Sequence, residues 1–275
     1  MGSSAAFTAG IAAGRCFYNN MNKLVVSLAM LAALAGCAHR SGEKAHDPSA
    51  KQARLDSKLA VFSSYAPGGL PIEWEPMIIL RTKKLTDYQL VTDRGRSVLH
   101  AKSSSAASGL IHHVNVDPLK NPWLNWKWKV DKLIKTADNT QRATEDSAVR
   151  IVLGFDGDKD ALPFTDQIMF ETAKVLTGRD VPYATLIYIW ENKAPVGTVI
   201  PNSRSGRIQK LVVSSGPEGT GQWREFTRNI VEDYEQAFGE KPGRLIGVGV
   251  LTDTDNTGET VEAWYGDIRL LRERR

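Results

Sequence analysis

Residues 123–130 read Trp123-Leu124-Asn125-Trp126-Lys127-Trp128-Lys129-Val130. Leu124, Trp126, Trp128 and Val130 occupy alternate positions, with Asn125, Lys127, Lys129 and then Asp131 on the others. Successive side chains of an extended chain point to opposite faces. The octet therefore reads as a strand with one buried and one wet face. Trp126 and Trp128 are expected in the core.

Runs of similar character recur on both sides of it: Met77–Arg81, Tyr88–Thr92, Ser97–Lys102, Ala148–Phe155, Ala184–Trp190, Ile208–Val213, Arg244–Leu251 and Val261–Leu271. Gly, Pro, Asn and Asp punctuate the gaps. Many short strands separated by turn signals indicate a mainly β fold, an antiparallel β-sandwich or a barrel. Arg150–Phe155 and Leu186–Trp190 are apolar on both faces, or nearly so, which places them centrally with both sides covered. Two short helices are expected. Thr165–Leu176 follows Pro163 and opens on Thr165-Asp166, a pair suited to an N-cap. Ile230–Phe238 aligns Ile230, Tyr234 and Phe238 on one side, with Gly239 where a C′ glycine belongs. No internal repeat is present.

The N-terminal region has a different organisation. From Met21 the chain offers Lys23, an apolar run from Leu24 to Leu34, then Ala35-Gly36-Cys37. That is the three-part layout of a secretory signal, too short to span a bilayer. Leu34-Ala35-Gly36-Cys37 resembles the lipobox of bacterial lipoproteins, which implies lipid attachment to Cys37 and cleavage before it. Residues 1–36 are read as an upstream extension followed by this signal, with Met21 the expected start. Arg15 precedes Cys16, which is wrong for a second lipobox. Residues 37–58 are polar and read as a flexible tether, and residues 59–275 as the folded domain. The implied location is the cell envelope, anchored to a membrane by lipid. Ala38 after Cys37 points to the outer membrane, facing the periplasm.

Composition narrows the function classes. The chain holds 35 Lys and Arg against 31 Asp and Glu. Removing residues 1–36 takes away Arg15 and Lys23 and no acid, leaving 33 against 31. A nearly neutral domain gives no support for nucleic-acid binding. Only Cys37 of the two cysteines lies beyond the signal. The domain thus has no disulfide, no thiol nucleophile and no thiolate metal ligand.

No G-x-S-x-G elbow, H-E-x-x-H helix, P-loop or dinucleotide fingerprint occurs. His112-His113 would point to opposite faces of a strand and make a poor metal pair. Asp156-Gly157-Asp158-Lys159-Asp160 and Asp253-Thr254-Asp255-Asn256-Thr257-Gly258 open like calcium loops, with oxygens at alternate positions. The twelfth positions hold Gln167 and Trp264 rather than a bidentate Glu. Tight turns explain these stretches more economically, so no cofactor is expected, with calcium the one metal open. Tyr183, Tyr188, Trp190, Trp123, Trp223, Trp264 and Tyr265 are aromatics that could cover the apolar face of a sugar. Tyr188 and Trp190 share a strand face and are expected to line a concave sheet. Asp146, Arg150, Asp253, Asp255 and Asn256 are candidates to bond hydroxyls or shape a rim. Glycoside hydrolysis would instead need two carboxyls facing each other across a cleft.

Several stretches together resemble one bacterial family. They are SGLIHHVNVD (108–117), NPWLNWKWKVD (121–131), EDSAVRIVLGFDGD (145–158), TLIYIWENKAPVGTVIPN (185–202) and the run from Gly221 to Leu271. The most specific parts are Trp126-x-Trp128, Asp146-x-Ala148-x-Arg150, Tyr188-x-Trp190, Arg228-Asn229-x-x-x-Asp233-Tyr234 and Asp253 to Thr257. The family is the domain of unknown function numbered 3047, and the resemblance covers about Glu73 to Leu271. It implies an extracytoplasmic β-sandwich. The closing Tyr265-Gly266-Asp267-Ile268-Arg269-Leu270 strand is similar to that of jelly-roll, galactose-binding-like carbohydrate modules.

The expectation is a membrane-anchored β-sandwich that acts as a binding module, with a glycan as ligand. A glycan hydrolase or lyase, and a structural envelope protein with a protein partner, are the alternatives.

Overall fold

The structure, a computed structural model, describes Leu59 and residues 61–274 except 179. Cys37, the signal and the tether lie outside the described residues. Among the described residues no helix is long and apolar enough to cross a membrane.

Two sheets pack face to face. The larger has seven strands: β1 (Glu75–Ile78), β4 (Ala107–Val116), β6 (Ser147–Phe155), β7 (Ala184–Glu191), β8 (Val199–Pro201), β9 (Ile208–Ser215) and β11 (Leu245–Asp253). Their spatial order is β1-β4-β11-β6-β7-β9-β8. The smaller holds β2 (Asp87–Asp93), β3 (Arg96–Ser104), β5 (Trp123–Val130), β10 (Arg224–Asn229), β12 (Thr260–Tyr265) and β13 (Arg269–Leu271). Its order is β10-β5-β12-β3-β2, with β13 also paired to β5. All pairings are antiparallel except β7 with β9. The segment between that pair supplies β8, which closes the sheet edge by pairing antiparallel to β9. The mainly β sandwich read from the sequence is the observed architecture.

β5 shows how the sequence selects the layers. Leu124, Trp126, Trp128 and Val130 are fully buried, and the alternate residues are half-exposed. β6 and β7 are buried on both faces, as their continuous apolar runs require. Their inner faces join the main core. On the outer face, Ile187 and Ile189 of β7 form a smaller cluster with Ile200 of β8 and Val212 of β9, and Val152 of β6 packs against it. His112 is buried and His113 exposed, on opposite faces of β4 as expected.

Helix α1 (Phe164–Thr177) links β6 to β7 and ends on Gly178 in the left-handed region. Helix α2 (Ile230–Phe238) follows β10 directly. Asn229 caps it, its side-chain oxygen accepting from the amides of Val231 and Glu232, and Gly239 closes it at φ 72°. The expected strand Val261–Leu271 is two strands, because Gly266-Asp267-Ile268 interrupts the pairing. Three strands were not read from sequence, namely β4, β8 and β10.

Candidate functional site

The structure corrects one expectation first. Tyr188 is fully buried and Trp190 is 1% exposed, so neither presents a ring to a ligand. Both point into the sandwich. Tyr188 stacks on Trp126 of the opposite sheet, with centroids 4.9 Å apart. Its hydroxyl donates to Asp233 at 2.7 Å, and burial raises its pKa well above the ordinary tyrosine value. The indole N–H of Trp190 donates to the Gly216 carbonyl at 2.9 Å. The Arg228-Asn229-x-x-x-Asp233-Tyr234 motif serves the same core. Arg228 grips Asp233 through two nitrogens, Asn229 caps α2, and Tyr234 packs on Phe155 and Phe238.

The other candidates meet at one end of the central strands of the seven-stranded sheet, where β6 begins and β11 ends. Arg150 pairs with Asp253 at 2.9 Å and donates to the Glu145 carbonyl at 2.5 Å. Asp146 accepts from the Thr257 amide and hydroxyl, both at 2.7 Å, and from the Asn256 amide at 3.3 Å. The Asn256 side chain donates to the Arg142 carbonyl. Asp255 pairs with Lys83. Burial first, opposed by Arg150 and reinforced by Asp146, pushes the Asp253 carboxyl up to about 6.

Sequence reading missed three members of this network. Lys210, 1% exposed, pairs with Glu145 at 3.1 Å and donates to the Asn139 carbonyl at 2.9 Å. Burial, with Arg150 second, lowers its pKa. Asn139 donates to the Asp146 carbonyl, and Lys83 reaches Asp255 from the far side. The signal for Lys210 was a lone lysine inside the apolar run of β9.

Asp146, Asp253 and Asp255 each offer an oxygen within 4.8 Å of the others. As arranged, the set does not fit calcium. Lys83 and Arg150 already neutralise two of the acids, and backbone amides fill the oxygens of Asp146. A dication would have to displace Lys83 and face the Arg150 guanidinium. Asp146 is 1% exposed with its carboxylate taken up by the Asn256 and Thr257 amides and the Thr257 hydroxyl, which does not suit a pair of carboxyls working across a cleft in glycoside hydrolysis. The network pins the 131–147 segment and the 253–258 turn to the sheet.

The open surface lies on the outer face of the six-stranded sheet. Lys129, Trp264, His100 and Gln89 stand in one registered row across β5, β12, β3 and β2. Trp264 is half-exposed and stacks on His100 at 4.9 Å. The Lys129 ammonium sits 4.2 Å from the centre of the Trp264 ring and 5.4 Å from that of Trp223. Lys127 lies 5.1 Å over Trp223. Trp223, from the loop before β10, is held by its indole N–H, which donates to Asp93 at 2.5 Å. Asp93 also pairs with Lys129 at 3.3 Å. Burial works against the Asp93 carboxylate, yet the indole N–H and Lys129 hold its pKa below the usual value. His100 in turn bonds Glu262 at 2.9 Å.

Beyond Tyr265, where β12 ends, Gly266 adds no side chain to this face. A cleft of about 320 Å³ opens there, lined by Asp93, Arg94, Arg96, Val98, Lys127, Trp223 and Glu225. Trp223 and Trp264 were among the aromatics noted in the sequence. Their lysine, arginine and carboxylate neighbours were not, because cross-strand register brings them together.

The family model for a protein of unknown function, DUF3047, matches residues 72–269. The chain belongs to this family. No curated protein matches the sequence. Several solved structures are similar to this DUF3047 chain, among them the following three. The Endo-D glycoside hydrolase domain from Streptococcus pneumoniae R6 shares 6% identity over 74% of the chain, at TM-score 0.32, and the chain spans 22% of its length. The endo-1,4-β-glucanase CelB2 shares 7% over 78% of this chain and 99% of its own, at TM-score 0.40. A non-crystalline-cellulose-specific carbohydrate-binding module, CBM28, shares 14% over 78% and 92%, at TM-score 0.35. At these scores the likeness carries no argument about what the DUF3047 domain binds.

Proposed function

We propose that this protein is a lipid-anchored envelope lipoprotein whose β-sandwich binds glycans on the outer face of the six-stranded sheet. The reading of an outer-membrane anchor facing the periplasm rests on the signal and lipobox ending at Cys37. Several acyl chains on that residue make a stable anchor, where one chain binds only marginally.

One observation carries the ligand reading: Trp223 and Trp264 stand half-exposed on one sheet face with the Lys129 ammonium between them. An indole face covers the C–H face of a pyranose, and ammonium, carboxylate and imidazole groups at its rim bond the hydroxyls. A sugar would take the place the lysine ammonium groups hold over the rings. That exchange gives up cation–π contacts of roughly 0.5–1 kcal/mol each at such exposed sites. The displaced ammonium groups become hydrogen-bond donors to the ligand. The cleft volume is at the small end of the range for ligand pockets, roughly 300–1,000 Å³.

Calorimetric titration of the purified protein against a panel of soluble envelope and plant-type glycans tests this. Trp223→Ala or Trp264→Ala should abolish binding while the melting temperature stays within a few degrees. Unchanged binding in both folded variants would remove the site from this face.

A further inference from the structure

Arg94 and Gly95 form the two-residue loop of the hairpin between β2 and β3, since Asp93 pairs directly with Arg96. Both loop residues lie in the left-handed region, at φ 49° and 76°. Such a turn takes positive φ at both central positions, which favours Asn, Asp or Gly at the first. Gly95 meets that demand at no steric cost. Arg94 does not, and left-handed backbone disfavours an ordinary L-residue by roughly 1–2 kcal/mol. Strain of this kind persists where the side chain serves a purpose its surroundings enforce.

The purpose can be read from the cleft. Arg94, Arg96 and Lys127 line it together, and none of the three forms an ion pair among the described residues. The two acids on its wall are already engaged. Asp93 holds Trp223 and Lys129, and Glu225 accepts from Asn125 at 3.0 Å. Val98, 3% exposed, gives the cleft an apolar lining beside Trp223. Three cations without an ion pair, one of them Lys127 over the Trp223 ring, beside an apolar wall match a ring that carries negative charge.

We infer that the ligand of this face is an acidic glycan, whose sugar carboxylates seat between Arg94, Arg96 and Lys127 while a ring lies against Trp223. This rests on the glycan reading above and names its substrate class. Arg94 occupies its strained turn because that position delivers a guanidinium to the cleft beside Asp93, where it can take a carboxylate in a two-point grip.

The test uses the full-length protein, purified in detergent and titrated with oligogalacturonate, with a neutral cello-oligosaccharide of equal length, and with polyglutamate. Oligogalacturonate should bind about tenfold or more tighter than the neutral chain. That preference should shrink as salt rises from about 50 to 300 mM, because ions screen exposed charges. Arg94→Asn supplies a residue the turn prefers, so its melting temperature should hold or rise. Its affinity for oligogalacturonate should fall about tenfold, the size of one charge-assisted bond. Arg96→Gln should weaken the same ligand and leave the neutral chain unaffected. Equal affinity for acidic and neutral chains overturns the inference and leaves the glycan reading standing. So does Arg94→Asn binding oligogalacturonate as well as the parent. Polyglutamate binding as tightly as oligogalacturonate reduces the cleft to an ion exchanger and also overturns it. Failure of every glycan, acidic or neutral, overturns the glycan reading itself.

Discussion

Tyr188 of β7 and Trp126 of β5 lie face to face across the sandwich, with ring centroids 4.9 Å apart and planes 12° from parallel. Phe226 of β10 continues the stack on Trp126 at 5.2 Å. The contact joins the two sheets at their centre, and the Tyr188 hydroxyl ties it to the Asp233–Arg228 pair at the start of α2. Tyr188→Phe keeps the stack and loses only the hydroxyl, so it should cost about 1–2 kcal/mol. Trp126→Ala empties the centre and should cost about 3–5 kcal/mol. Urea denaturation reads both. Because Tyr188 is enclosed, the Phe variant should titrate glycans as the parent does. A folded Tyr188→Phe that lost binding would put this residue back in the site.

Burial of Asp253, only partly offset by Arg150, sets a pH dependence of stability. Asp253 titrates near 6 in the folded protein against an ordinary 3.8. The folded state therefore holds this proton more tightly than the unfolded chain does. The stability this gives is fully present below about pH 3.8 and is lost as pH rises through about 6, a change of about 3 kcal/mol. Asp253→Asn removes the titration. The stability difference between parent and variant, measured by denaturation from pH 4 to 7, should shift in favour of the variant by about that amount. A difference that stays flat over this range would refute the assignment.

Removing the other partner has a larger effect. Arg150→Met leaves Asp253 buried beside Asp146 without its ion-pair partner, and should cost about 3–5 kcal/mol at pH 7. The loss should shrink below pH 5, where Asp253 is protonated. Added calcium should not stabilise the parent, because Lys83 and Arg150 hold the cation positions. A calcium-dependent rise in melting temperature of the parent would contradict that geometry.

The elements the sequence announced are those whose local chemistry decides their fate. β5 carries strict alternation, and α2 aligns Ile230, Tyr234 and Phe238 on one side with Gly239 after it, so both were legible to the residue. β4 was missed because Ser108, Gly109 and His112 stand at buried positions where alternation would show large apolar residues. β10 was missed because Arg224, Glu225, Thr227 and Arg228 give a sheet edge no apolar face. Asp146, Arg150, Asp253, Asp255 and Asn256 were legible as a set because turn acids and a lone arginine stand out in a β sequence. Lys210 joins them over 65 residues of separation, which no local pattern records. Tyr188 and Trp190 show the opposite limit. Alternation established that they share a face, but Ile187 and Ile189 are buried too, and alternation is silent on which face meets water.

Lys129 links the aromatic face to Asp93, and its removal should be visible in both stability and pH dependence. Its ammonium pairs with Asp93 at 3.3 Å and lies over both Trp223 and Trp264. The Asp93 pKa is held below 3.8, with Lys129 one of the causes. A depressed carboxylate contributes stability above its unfolded pKa, and that contribution is lost as pH falls through the folded value. Lys129→Met keeps the apolar stem over the rings and deletes the charge. It should cost about 1–3 kcal/mol at pH 7, the sum expected for one half-buried ion pair and two cation–π contacts. The ion-pair share of that cost should fall away as Asp93 takes up its proton in acid, while the cation–π share stays. Denaturation at pH 7 and pH 3 measures the pair of values. A cost that is the same at both would assign it to the two cation–π contacts alone, and the ion pair of Lys129 with Asp93 would have to be given up as a source of stability.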